Sequence, residues 1–311
     1  MPLLDIQDLH VAFGGLPAIE GLSFALEAGE TLALVGESGS GKSVASLAML
    51  GLLPASARVT GAVRLDGIDL LTLPPRERQL RRGRDIAMVF QEPMTSLNPV
   101  LSIGRQLIEG LPAADRETRQ AARARATDLL AAVGITAPAR RLDEYPHQLS
   151  GGMRQRVAIA MALAGRPRMI IADEPTTALD VTVQAQIVAL LRDLQEATGV
   201  ALLLISHDLA LVRQMARRVV VLYAGRKLEE APADRLFAHP RHPYSAGLIA
   251  AIPRFGAGRG ARLAEIPGTA PGLNERGPGC VFAPRCPQAA AICASPPPAT
   301  GVACHFAGGA A

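Results

Sequence analysis

Aromatic side chains make up only 3% of this 311-residue chain, and no cysteine occurs before position 280. So few aromatics leave little with which to stack unpaired bases. The basic run Arg76-Glu77-Arg78-Gln79-Leu80-Arg81-Arg82-Gly83-Arg84 contains an acid and no aromatic. It reads as a solvated face, and no nucleic-acid partner is expected despite a net charge of +4. Long apolar runs are also missing. The mean hydropathy is positive, at +0.22, yet the best runs, Val157–Gly165 and Val200–Ser206, fall short of the roughly 20 residues a membrane helix needs. Asp5 and Asp8 stand where a secretory signal would place basic residues before an apolar stretch, so no such signal is expected.

What is present is a 49% hydrophobic, globular composition, rich in alanine. Leu9–Phe13 and Leu22–Leu26 read as short strands around the glycines at 14, 15 and 21. Thr31–Val35, Asp85–Phe90, Arg168–Ala172 and Val200–Ile205 read as buried strands. Helical patterns cover Lys42–Leu53 and about Val181 to Ala197. Strands alternating with helices imply a doubly wound α/β sheet. Between Phe90 and Arg168 the pattern is helical without strands, which suggests an inserted helical subdomain over about 95–165. After about Arg235, prolines and glycines crowd the chain and only Ser245–Ala251 looks regular. The expected division is therefore a main domain over 1–235 and an extension over 236–311.

Gly36-Glu37-Ser38-Gly39-Ser40-Gly41-Lys42-Ser43 matches G-x-x-x-x-G-K-S at every fixed position, between a strand and a helix. Glycines let backbone N–H groups converge on phosphate oxygens, and the helix start adds positive potential. Lys42 would reach the β- and γ-phosphates of ATP, and Ser43 would hold Mg²⁺. The strand Arg168–Ala172 runs into Asp173 and Glu174. Asp173 would bind Mg²⁺ through water, and Glu174 would polarise the attacking water.

Leu149-Ser150-Gly151-Gly152-Met153 resembles the signature of ABC ATPases, and it occurs here with the rest of that family's motifs in order. The resemblance implies an α/β P-loop NTPase cassette with an antiparallel β subdomain and an inserted helical subdomain. It makes Gln91 a sensor of Mg²⁺ and water, Asp180 part of a dimer-contacting loop, His207 the γ-phosphate switch and Phe13 the adenine-stacking aromatic. Ser150, Gly151 and Gly152 would face the ATP of an opposing cassette. Phe90–Pro99, Pro175–Ile187 and His242-Pro243-Tyr244-Ser245 are similar to the ATP-binding subunits of peptide importers, with Thr177 in place of the commoner serine. The resemblance implies a second, paralogous ATPase subunit as partner. The group also requires two membrane permeases and an extracytoplasmic peptide-binding protein, and it sits on the cytoplasmic face of the inner membrane. Nickel and glutathione importers share the same runs, and an exporter or a non-transport ATPase are the other readings.

The cysteines Cys280, Cys286, Cys293 and Cys304 are spaced C-x₅-C-x₆-C-x₁₀-C. Zinc sites usually pair ligands two to four residues apart, and disulfides are disfavoured in a cytosolic ATPase. Four thiolates in a proline-rich segment could hold an iron–sulfur cluster. The run Gly279–Pro287 resembles a motif that carries a [4Fe–4S] cluster in some peptide-importer ATPases. A cluster is the expectation, with free thiols or zinc as alternatives.

Overall fold

The computed structural model describes residues 1–91, 96–177, 179–252, 264–298 and 301–307. Glu92–Thr95 and Ala178, which belong to two of the quoted motif runs, lie outside them. The chain opens with β1 (Leu4–Phe13), β2 (Leu16–Leu26), β3 (Thr31–Val35), α1 (Lys42–Leu50), β4 (Ala57–Leu65) and β5 (Ile68–Asp69). There follow α2 (Pro75–Arg81), β6 (Ile86–Val89), α3 (Ile103–Gly110), α4 (Arg119–Ala132), α5 (Pro138–Arg141), α6 (Gly151–Ala164) and β7 (Met169–Asp173). The last stretch holds α7 (Val181–Thr198), β8 (Ala201–Ser206), α8 (Leu209–Met215), β9 (Arg218–Tyr223), β10 (Arg226–Pro232), α9 (Ala233–Ala238) and α10 (Pro243–Ala250). They form two compact units, one of Met1–Glu27, Thr31–Thr72 and Leu204–Ala311, the other of Ala28–Glu30 and Leu73–Leu203.

The first unit carries an antiparallel sheet in the order β2-β1-β4-β5 and the strands β10-β9-β3. Gly14 and Gly15, with φ of 54° and 85°, close the β1–β2 hairpin. Two successive left-handed residues are what a two-residue hairpin turn demands. The sequence reading gave two short strands here; the hairpin is longer because β1 continues back through a bulge at Gln7 and Asp8 to bury Ile6 and Leu4. β3 is buried at all five positions and runs parallel to β9, from Leu32 opposite Arg218 to Val35 opposite Val221. A continuous apolar run is what a strand covered on both faces requires. Helix α1 stops at Leu50, short of the expected Leu53, because Gly51 turns left-handed and its N–H caps Ala48 O and Leu47 O.

In the second unit β6 and β7 pair in parallel, from Ile86 opposite Met169 to Val89 opposite Ala172. β8 neighbours β7 and carries the chain back to the first unit. Between β6 and β7 the described residues form helices and no strand. Helices α3 and α4 pack on α6, whose small buried residues Ala158, Ala160, Ala162 and Ala164 allow close approach. Helix α2, inside the basic run, buries no residue, which fits a solvated face. Among the described residues no helix is long and apolar enough to cross a membrane.

The extension corrects one expectation. Among the described residues no three His, Cys, Asp or Glu side chains come together as a metal site. The [4Fe–4S] cluster on Cys280, Cys286, Cys293 and Cys304 is therefore not supported. Cys280 meets Cys293 through the backbone instead, its N–H donating to the Cys293 carbonyl at 2.9 Å. Burial pushes the Cys280 and Cys286 thiols up, away from the thiolate that a cluster needs. What holds the extension is aromatic packing. Tyr244 and Phe282 bury against Tyr223 at the end of β9, with ring centroids 4.6 Å and 5.4 Å from it. Three buried rings supply the apolar area that a proline-rich segment otherwise lacks. Ala303 N–H also donates to Leu228 O at 2.7 Å, fastening the segment at Val302 and Ala303 along β10.

Candidate nucleotide site

In the first unit the phosphate loop joins β3 to α1; main-chain packing demands glycine at position 36, and a φ of 102° favours it at position 41. A Cβ on Gly36 would lie 2.0 Å from Leu222 O, and one on Gly41 would lie 2.6 Å from Ile19 Cδ1. The Gly225 N–H donates to Ser40 O at 2.9 Å and ties the loop to the β9–β10 turn. Lys42, only 6% exposed, folds its ammonium back over the loop. It donates to Gly36 O at 2.7 Å and Glu37 O at 3.0 Å. Ser38, Gly39 and Ser43 are exposed while Ser40 is buried. No side chain caps α1, and a helix start is where backbone N–H groups and the helix dipole favour phosphate. Phe13 is half-buried at the hairpin end opposite Leu16. His207 is exposed just beyond β8, and the next residue, Asp208, caps α8 through Ala210 N–H at 2.8 Å and Leu211 N–H at 3.1 Å.

The second unit holds the acids. Asp173, 5% exposed, ends β7. Glu174 follows with φ of 47°, a left-handed backbone that costs a non-glycine residue about 1–3 kcal/mol and tends to persist at functional sites. Its carboxylate is fixed by two donors on one oxygen. Gln91 Nε2 donates to Oε2 at 2.7 Å and Thr177 Oγ1 donates to it at 3.0 Å. Gln91 and Glu174, which lie 83 positions apart, are thus brought together. Thr177 had been noted only as a departure from serine. Its hydroxyl three residues beyond the acid was the available signal, since the turn returns the Thr177 N–H to Glu174 O at 3.1 Å.

The signature residues begin α6. Ser150 caps that helix by accepting from Met153 N–H at 3.3 Å, and Ser150 and Gly151 are exposed. A Cβ on Gly152 would lie 2.8 Å from Val183 Cγ1, so α7 closes against the helix start. Asp180 caps α7 through Val183 N–H at 2.9 Å. Both residues therefore have a local task besides the intersubunit one the motifs imply.

A phosphate loop between a buried strand and a helix, together with an acid pair ending a parallel strand, defines a P-loop ATPase. The ABC transporter family model matches residues 19–177, and a model of the oligopeptide/dipeptide transporter C-terminal region matches residues 228–293. The dipeptide transport ATP-binding protein DppD of Haemophilus influenzae is 48% identical over 94% of this chain and 90% of its own. A putative peptide import ATP-binding protein of Brucella abortus is 51% identical over 96% and 91%. Among solved structures, cbiO1 of the Clostridium perfringens cbiONQ complex shares 28% identity at a TM-score of 0.66, over 76% of this chain and 91% of its own. The dimeric post-hydrolysis cassette MJ0796, bound to ADP and Pi, shares 30% at 0.65, over 74% and 98%. The chain belongs to the ATP-hydrolysing subunits of ABC transporters, in their oligopeptide/dipeptide import group.

Proposed function

We propose that this chain is the motor of an importer for dipeptides or short oligopeptides, working on the cytoplasmic face of the inner membrane. The observation that carries the cargo class is the match of residues 228–293 to the oligopeptide/dipeptide C-terminal region. It is supported by relatives whose names specify dipeptide transport or peptide import. The chain divides functionally into a cassette, 1–235, with helices over about 95–165, and an extension, 236–311.

In this reading Gly36–Ser43 cradles the ATP phosphates and Phe13 stacks on the adenine. Ser43, Asp173 and Gln91 take the Mg²⁺ roles, and that ion would offset charge on the β- and γ-oxygens. Glu174 accepts the proton of the attacking water, held in place by Gln91 and Thr177. His207 contacts the γ-phosphate. Ser150, Gly151 and Gly152 serve the nucleotide of the opposing cassette, and Asp180 lies at that contact. The catalytic effect is mainly positioning and charge stabilisation. The full transporter adds a second ATPase subunit, two permeases and an extracytoplasmic peptide-binding protein.

Reconstitution with those permeases in liposomes tests the reading. ATP hydrolysis should rise several-fold when the binding protein is loaded with dipeptide. Stimulation by nickel or glutathione, with none by peptides, would reassign the cargo and leave the motor in place.

A further inference from the structure

The extension grips the phosphate loop at one residue. Arg285 meets Glu37, the second residue of Gly36–Ser43, in a two-pronged ion pair, with Nη1 to Oε2 at 2.7 Å and Nη2 to Oε1 at 3.2 Å. The Arg285 side chain is only 7% exposed and the Glu37 side chain 28%. Arg285 is itself held by Tyr223 Oη at 3.2 Å, Pro267 O at 2.8 Å and Ile266 O at 3.1 Å. Burial alone would lower its pKa, but the bonds to Glu37 and Tyr223 hold the guanidinium above its ordinary value. The Glu37 main chain is gripped too, its N–H donating to Tyr244 Oη at 2.9 Å. Tyr244 is fully buried in α10.

Glu37 in turn touches the groups that would meet a nucleotide. Its carbonyl accepts from Lys42 Nζ at 3.0 Å and from Ser40 N–H at 3.1 Å. On the other flank Arg276 Nη1 donates to Pro17 O at 2.9 Å and Ala18 O at 3.3 Å. Those residues precede Ile19, whose Cδ1 fills the space beside Gly41. Residues of the extension therefore hold the loop at Glu37 and the neighbouring strand at Pro17 and Ala18.

Two physical consequences follow. A loop that binds phosphate through converging N–H groups binds more tightly when it is ordered beforehand. A carboxylate inside that loop repels a triphosphate unless a cation offsets it, and partly buried charges are poorly screened by salt. Arg285 supplies both the order and the cation.

We infer that the C-terminal extension sets the nucleotide affinity of this chain, with Arg285 and Tyr244 acting as positioning residues through Glu37. This rests on the reading of Gly36–Ser43 as the ATP site. It adds a task for the extension within the cassette itself, since no residue of 236–311 need touch ATP.

The test is equilibrium binding of MgATP and MgADP to the full-length chain. Arg285→Ala should weaken MgATP binding about tenfold, and MgADP binding less, because the exposed Glu37 charge opposes the longer phosphate chain more. Glu37→Gln added to Arg285→Ala should recover most of the lost affinity, by removing the uncompensated charge. Arg285→Lys should fall between wild type and Arg285→Ala. Tyr244→Phe, which loses only the hydroxyl, should weaken both nucleotides about threefold. A purely structural role would instead lower the melting temperature of Arg285→Ala while sparing affinity below it, and Glu37→Gln would not rescue. Unchanged affinity in both Arg285→Ala and Tyr244→Phe overturns the inference. Should Arg285→Ala fail to fold, Arg285→Lys and Tyr244→Phe decide it. Wild-type chain that binds no MgATP would sink the site reading itself, a distinct result.

Discussion

Glu174 is the residue on which turnover should depend most, and its environment shows how little of that dependence comes from its own sequence position. Its left-handed backbone and the donors Gln91 and Thr177 on Oε2 position the carboxylate. Glu174→Gln should keep MgATP affinity within a few-fold of wild type and lose at least about 100-fold in kcat, the scale of a lost general base. Activity within threefold of wild type in the assembled transporter would remove it from that role. Thr177→Val removes one donor and leaves Gln91 as the other. We expect kcat to fall about three- to tenfold with nucleotide affinity unchanged, as for a residue that orients a base. An equal fall in affinity and rate would make Thr177 a binding residue instead. At this scale the sequence was readable in where it places a residue in the fold: Lys42 opens α1 and Asp173 ends β7, as the spacing of their motifs indicates. Thr177 was missed because a hydroxyl three residues beyond an acid reaches it only through the turn that follows β7.

Helix α10 shows what an element owes to partners far along the chain. Its cap is His242, whose Nδ1 accepts from Tyr244 N–H at 3.0 Å. The His242 N–H donates to the buried Glu229 carboxylate at 2.9 Å, as does the Arg241 N–H. Histidine is not among the usual capping residues; its ring packs on Phe282, which in turn meets Tyr223 and Tyr244. No local periodicity could therefore announce this cluster, and the extension read as a coreless tail needing a metal. By contrast β3, β7 and β8 were legible because continuous apolar runs between turn signals have few other readings. Burial pushes the His242 imidazole down to about 4, against the opposing pull of the Ala303 backbone. The unfolded chain titrates near the ordinary 6.5 and so binds the extra proton first as the pH falls. This contribution is complete above pH 6.5 and is lost progressively toward pH 4. Protonation of Nδ1 would also turn the cap's acceptor into a donor facing the Tyr244 N–H. Denaturant unfolding at pH 7 and pH 4.5 should show the wild type losing about 2 kcal/mol more than His242→Asn. Parallel losses in the two proteins would mean the imidazole is not the group responsible.

Across the whole molecule the question is what a single chain can do alone. Ser150 caps α6, and for that task its removal should cost about 1 kcal/mol of stability. That cap leaves Gly151 and the exposed helix start facing outward, where N–H groups and the helix dipole favour an anion. The family's motifs assign this anion to the ATP of an opposing cassette, and the similar MJ0796 cassette has been solved as a dimer with ADP and Pi. Two measurements separate the capping task from the intersubunit one. Specific ATPase activity of the isolated chain should be low and should rise with protein concentration, then rise further with the partner ATPase and permeases. Ser150→Ala should lower turnover in the assembly at least tenfold at a temperature where its fold is intact, while MgATP affinity of the isolated chain stays at the wild-type value. A helix cap alone cannot produce that split, because about 1 kcal/mol of stability leaves the chain folded and its own phosphate loop untouched. Full activity from a chain shown to remain monomeric at every concentration would be incompatible with a shared site, and Ser150 would then be left with its capping role.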